Sequence, residues 1–243
     1  MVCNLPRHRR AWLDQGTLPN DANGDAGDPV LARNNSTGTI ILATLGFSNA
    51  NTLPTFRSNN DGASYLSQVD GDGGGTDNDK EWLACDNFVG SGQGNFYMFY
   101  RDFGIGTGGM SFTRSTDDGA TWSARQVLAS NVGQGAWVTV AANHDVYAFW
   151  LIGGGGAPVQ QVFRKSTDQG TTFGAQTTVA TLRTTGINGD LGLNGGFRTN
   201  AFVQVVAHPT DPNQLYVVWN DKNIDTNSQC GWIQKVVCRT PLP

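Results

Sequence analysis

Apolar residues along this chain gather in short β-branched and aromatic runs bounded by turn residues, and none repeats with the spacing of an amphipathic helix. Three runs share a Tyr-x-x-aromatic core: Tyr97-Met98-Phe99-Tyr100, Tyr147-Ala148-Phe149-Trp150 and Tyr216-Val217-Val218-Trp219. Residues 39–44 fill the same slot, with Ile41 at the Tyr position. A second kind of run precedes each of these, at residues 29–32, 82–86, 137–140 and 202–206. Both kinds read as strands.

Between them a polar turn pattern, Ser-x-Asp/Asn-x-Gly-x-Thr/Ser-aromatic, occurs three times. The copies carry Ser58, Asn60, Gly62 and Tyr65, then Ser115, Asp117, Gly119 and Trp122, then Ser166, Asp168, Gly170 and Phe173, in steps of 57 and 51 residues. A period of that length marks a repeat architecture in which each unit buries its apolar faces against its neighbours. The Asp or Asn is expected to accept from backbone N–H groups two residues on, the Gly to take positive φ, and the aromatic to plug the gap between strands.

This octapeptide resembles the Asp-box of sialidase-like β-propellers. The copy from Ser115 to Trp122 matches at every defined position, while the first departs at Asn60, Ser64 and Tyr65 and the third at Phe173. The resemblance implies an all-β propeller of four-stranded antiparallel blades, with the box in the turn between third and fourth strands, away from any catalytic face. It carries fold and says little of chemistry.

Combining runs and boxes gives a unit of strand, turn, strand, loop, strand, box, strand. The 243 residues then form one domain of three complete blades and most of a fourth, at roughly 28–70, 79–130, 135–182 and 197–243. Strands are expected at 232–237 to complete the fourth unit and, after the box aromatic, from 122 to 128. Residues 1–20 read as a tail in which 11–18 resembles a closing fourth strand. Sialidases have six blades, so a shortened six-bladed parent is expected, with four-bladed closure the alternative. The glycine tracts at 71–75 and 153–156 read as loops inside the units.

Composition agrees with turns rather than helices. There are 32 glycines, and of 20 acidic residues one alone, Glu81, is a glutamate. The net charge of −4 argues against a nucleic-acid partner, and the basic cluster at 7–10 reads as a terminal tail. No apolar stretch reaches the length of a membrane span. Of four cysteines, Cys85 reads as a buried hydrophobe, and extended chain would hold Cys230 and Cys238 too far apart to bridge.

In propellers the ligand face lies where innermost strands begin. That points to Asp28, Asp79 and Glu81 as candidate catalytic acids, and to Lys80, Trp82, Arg101, Trp137, Arg198 and Asn200 as candidate substrate-binding residues, with Asp102 and Phe197 beside them. Carboxylates, cations and aromatic faces together suit a sugar, and two carboxylates suffice for most glycoside hydrolysis. The residues that a sialidase needs are not matched. Its first clamp arginine lies in an Arg-Ile-Pro motif, where this chain has Gly27-Asp28-Pro29. Its acid/base aspartate precedes the first box, where residues 48–56 hold Asn49 and Asn51 and no aspartate.

Two acidic loops offer a calcium alternative: Asp21, Asn23 and Asp25 at alternate positions around a glycine, and Asp70, Asp72, Asp77 and Asp79 around residues 73–75. The leading expectation is an extracellular or periplasmic glycan-directed protein, a carbohydrate hydrolase or a glycan-binding relative of one. A non-catalytic scaffold for protein interaction is the alternative.

Overall fold

The computed structural model describes residues 14, 16–19, 27–46, 52–104, 106, 108–222 and 232–239. Its strands, in chain order, are β1 (Gly27–Arg33), β2 (Ile40–Leu45), β3 (Pro54–Ser58), β4 (Val69–Asp70), β5 (Asn78–Cys85), β6 (Phe96–Asp102), β7 (Gly109–Ser115) and β8 (Gln126–Ser130). They continue with β9 (Gln134–Val140), β10 (Val146–Gly154), β11 (Ala157–Ser166), β12 (Thr177–Thr181), β13 (Gln204–Ala207), β14 (Gln214–Asp221) and β15 (Trp232–Arg239). Neighbours in sequence pair antiparallel into three four-stranded sheets and a final three-stranded one. Helical structure among the described residues amounts to two 3-10 turns, Ile187–Gly189 and Asn194–Gly196.

Strand periodicity explains how the sheets stack. Side chains alternate between the two faces of a strand, so Tyr and the aromatic three places on point opposite ways. Tyr97 and Phe99 of the second sheet pack with Val138, Ala148 and Trp150 of the third. Tyr100 and Met98 turn the other way, onto Ile41 and Ala43 of the first. Tyr147 and Phe149 of the third sheet meet Val205, Val217 and Trp219 of the fourth. Every core is thus shared by two consecutive sheets, and β5, the first strand of its sheet, packs between β1 and β9. The arrangement is all-β and propeller-like.

The three octapeptide turns repeat one network. Gly62, Gly119 and Gly170 donate their backbone N–H to Ser58, Ser115 and Ser166 Oγ at 2.9, 2.8 and 2.8 Å. Each Ser hydroxyl donates in turn to Asn60, Asp117 or Asp168 Oδ1. Those same Oδ1 atoms accept from the backbone N–H of Ser64, Thr121 and Thr172, which lie four residues on rather than the two expected. The wider reach follows from two successive left-handed residues. Asp61, Asp118 and Gln169 have φ of 56°, 56° and 58°, and the glycines after them 82°, 75° and 76°.

The aromatics ending the second and third turns belong to the preceding sheet's core. Trp122 packs against the first core and donates from Nε1 to Thr55 Oγ1 at 3.2 Å. Phe173 meets Phe112 of the second sheet edge-on, with centroids 4.8 Å apart. The plug expected between strands therefore fills the seam between sheets.

Some boundaries differ from expectation. The fourth strand of the second sheet starts at Gln126, after Trp122 has been spent on the seam. Strand β13 starts at Gln204, because the segment before it folds over the third sheet, with Phe202 against Gly135. Residues 71–75 lie between β4 and β5 and so join two sheets, whereas 153–154 end β10 and 155–156 make the turn to β11, inside one sheet as expected. Residues 14 and 16–19 have no regular structure where a closing strand was expected, and the rest of 11–18 lies outside the described residues. The tail cluster at 7–10 and Cys230 also lie outside them, and Cys85 is a free thiol.

Candidate functional site

Strands β1, β5 and β9 each begin with a shifted register: between Gly27 and Val30, between Asp79 and Trp82, and between Gln134 and Trp137. Each bulge contains a left-handed residue, Asp28 at φ 48°, Lys80 at 50° and Gly135 at 71°. A bulge re-aims the side chains around it, and here it does so at the end of the sheets opposite the octapeptide turns.

The bulge of β5 drives Glu81 inward. Its side chain is buried, and neither carboxylate oxygen has a hydrogen-bond partner on any other described residue. Burial is the main force raising its pKa, to about 8. Its own backbone amide opposes the rise, Asp28 and Asp79 add to it, and Lys80 opposes it. A carboxyl without a partner in a poorly solvated place holds its proton. Lys80 shifts downward by the same burial, against the pull of Glu81, Asp28 and Asp79. Asp28, Asp79, Lys80 and Glu81 are therefore close enough to feel one another's charge.

Around this group the other expected residues divide. Asp79 accepts from Gln134 Nε2 at 2.8 Å, a partner on the next sheet. Gln134 was not singled out in the sequence, and the available signal was its place in β9, matching that of Asp79 in β5. Trp82 and Trp137 stack with centroids 3.7 Å apart, and Lys80 Nζ sits 4.8 Å from the Trp82 centroid. Trp137 donates from Nε1 to the Val205 carbonyl at 2.7 Å. Arg101 is buried, donates to the Val132 carbonyl at 2.8 Å and lies 4.6 Å over the Phe103 ring. These contacts give the two Trp residues and Arg101 work inside the fold.

Arg198 and Asn200 are exposed on the connection between β12 and β13. Arg198 lies in the field of Asp190, and Asn200 Oδ1 accepts from the Phe202 backbone N–H at 3.3 Å. Phe197 is exposed on the same connection. Asp102 accepts from the backbone N–H groups of Asp77 and Gly104 and pairs with Arg125, so it holds the entry to β5. Asp221, at the same place in β14, does the same for Arg183 and Thr184.

Of the acidic loops, the one holding Asp21, Asn23 and Asp25 lies outside the described residues. In the other, Asp72 turns its oxygens to the N–H groups of Gly74 and Gly75 and to Asn78 Nδ2. Among the described residues no three acidic, His or Cys side chains converge as a metal site. Nor is any described helix long and apolar enough to cross a membrane.

No protein-family model matches this chain, and no curated protein matches it in sequence. Solved structures do share its fold. One is the Hadza microbial sialidase Hz136, at 16% identity and a TM-score of 0.57 over 87% of this chain and 44% of that one. Another is the endo-arabinase from Bacteroides thetaiotaomicron VPI-5482, at 14% identity and 0.52, over 88% of this chain and 75% of that one. A third is the catalytic domain of the Coprinopsis cinerea GH62 alpha-L-arabinofuranosidase, at 14% and 0.52, over 92% and 68%. The chain spans less than half the length of the sialidase. Identities this low speak for the fold alone.

Proposed function

We propose that this chain belongs to an extracellular or periplasmic propeller acting on glycans as a glycoside hydrolase, with Glu81 as the proton donor. The observation that carries this reading is the buried Glu81 carboxyl, which has no hydrogen-bond partner on any other described residue and whose pKa is pushed up to about 8 beside Asp28 and Asp79. Glycoside cleavage needs an acid that is still protonated near neutral pH to give its proton to the leaving oxygen. It also needs a second carboxylate, to activate water or to attack the anomeric carbon. Asp79, anchored by Gln134, is the candidate for that second role. The glycan enzymes that share the fold support the substrate class.

A panel of neutral and sialyl aryl-glycosides tests the reading. Turnover of at least one member, lost in Glu81→Gln and in Asp79→Asn with folding intact, is the expected result. Full activity in both variants would remove these acids from the chemistry. The scaffold alternative draws on Trp82, Trp137 and Arg101, whose faces and donors are engaged within the protein. It predicts neither turnover nor glycan binding.

A further inference from the structure

Two Asn-x-Ser/Thr triplets occur in the sequence, and they overlap: Asn34-Asn35-Ser36 and Asn35-Ser36-Thr37. A triplet of this kind is the acceptor for an N-linked glycan when it lies on the surface of an exported protein. Both lie in the turn joining β1 to β2. That turn is closed by the Asn34 N–H on the Thr39 carbonyl at 2.8 Å and by the Gly38 N–H on the Asn34 carbonyl at 2.9 Å. Strand β1 runs from its bulge to Arg33, so the turn stands at the octapeptide end of the sheets, away from Glu81.

The fold treats the two asparagines differently. Asn34 is 2% exposed, and both ends of its carboxamide are engaged. Its Nδ2 donates to Asp118 Oδ1 of the second octapeptide turn at 2.6 Å. Its Oδ1 accepts from the Ser36 backbone N–H at 2.9 Å and from Ser36 Oγ at 2.7 Å. A sugar on that nitrogen would sever the tie to the next sheet and leave a buried acceptor behind. Asn35, Ser36 and Thr37 are exposed. The Asn35 backbone N–H donates to Asn87 Oδ1 at 2.7 Å, and Asn35 Oδ1 accepts from Arg33 at 3.0 Å. Its Nδ2 donates to no described residue, so the backbone is pinned while the amide nitrogen stays unengaged.

We infer that Asn35 is an acceptor for an N-linked glycan and that Asn34 is not. The inference rests on the export of the chain proposed above. In the transfer, Asn35 Nδ2 bonds to the anomeric carbon of a lipid-pyrophosphate-linked oligosaccharide. The bond from that carbon to the pyrophosphate oxygen breaks, the lipid pyrophosphate leaves, and the displaced amide proton passes to a base of the transferase. Attachment to the nascent chain precedes folding, and the fold then decides which product survives. A glycan at Asn35 is carried on an exposed turn and breaks none of the hydrogen bonds around it. It covers the octapeptide end and leaves the Glu81 end open.

Expression behind a secretion leader in a eukaryotic cell line tests this, with secreted and retained material both analysed by intact mass. An amidase that releases N-glycans and leaves aspartate at the acceptor then locates the site by peptide mapping. One glycan, at Asn35, is expected. Ser36→Ala removes the Asn34 triplet alone and should keep the glycan. Thr37→Val removes the Asn35 triplet alone and should lose it, although Asn34-Asn35-Ser36 is still present. Both positions are exposed, and an unchanged melting temperature verifies that the variants fold. An unmodified parent chain, or a glycan that persists in Thr37→Val, would overturn the inference. Turnover of aryl-glycosides by the same samples is a separate readout. Activity without a glycan would overturn this inference and spare the proposed function, and a glycan without activity would do the reverse.

Discussion

Trp82 and Trp137 stack with ring centroids 3.7 Å apart and planes inclined by 20°, joining the first strands of the second and third sheets. Offset and stacked rings add roughly 0.5–1.5 kcal/mol beyond the area they bury. Trp137 also ties to the fourth sheet through Val205. One side chain thus touches three sheets close to Glu81. Trp137→Ala is expected to cost about 3 kcal/mol or more in urea unfolding. A double-mutant cycle with Trp82→Ala should give a coupling of about 1 kcal/mol. Additive effects would deny the stack any role.

Glu81 sets a pH signature on stability. Its pKa in the folded chain, about 8, stands above the ordinary value of 4.5. Between those values the folded protein keeps a proton that the unfolded chain releases, so stability present below pH 4.5 declines as pH rises toward 8. Glu81→Gln removes this contribution. Denaturation midpoints measured from pH 5 to 8 should fall more steeply in the parent than in the variant, and parallel curves would count against the burial argument.

The octapeptide turns act in the opposite sense. Asp168 is held down to about 2, first by the Thr172 hydroxyl and then by the Thr172 backbone N–H. A depressed carboxylate stabilises the fold above its unfolded pKa, and that stability fades as pH falls from 4 toward 2. Asp168→Asn should flatten the acid limb of the melting-temperature profile, and Thr172→Val should flatten it in part. An unchanged acid limb in both would contradict the network.

How far the sequence carried this reading is visible in these same residues. The strands and turns were legible because their signals are local: a Tyr and an aromatic three places on, or a Ser, Asp and Gly within one turn. Glu81 stood out as the lone glutamate at the start of a strand. The bulges at Asp28 and Lys80 were not legible, because neither is a glycine and their left-handed backbone comes from cross-strand register. Nor was the Gln134–Asp79 bond, which links residues on two sheets. Trp82, Trp137 and Arg101 carry the side chains expected of a sugar site, and the contacts each makes within the protein were not legible, because their partners lie far off in sequence or depend on the backbone path.

Glycine in the octapeptide turn is required twice over. Gly119 has φ of 75°, and a Cβ there would run into Ile41 Cδ1 of the preceding sheet. Gly155 has φ of 63° with open space around it. Alanine at either place pays for the left-handed backbone, roughly 1–2 kcal/mol. At Gly119 overpacking adds about 1–3 kcal/mol more. Thermal unfolding of Gly119→Ala and Gly155→Ala measures the difference, and equal losses would place no sheet against the turn.

Because Glu81 is the single glutamate, carboxyl-labelled [13C]glutamate reports on it alone in an NMR titration of the whole chain. The buried proton donor described above predicts one resonance with its midpoint near pH 8. A midpoint close to 4.5, the ordinary value, would mean that the carboxyl is solvated or paired and would contradict the account at its centre.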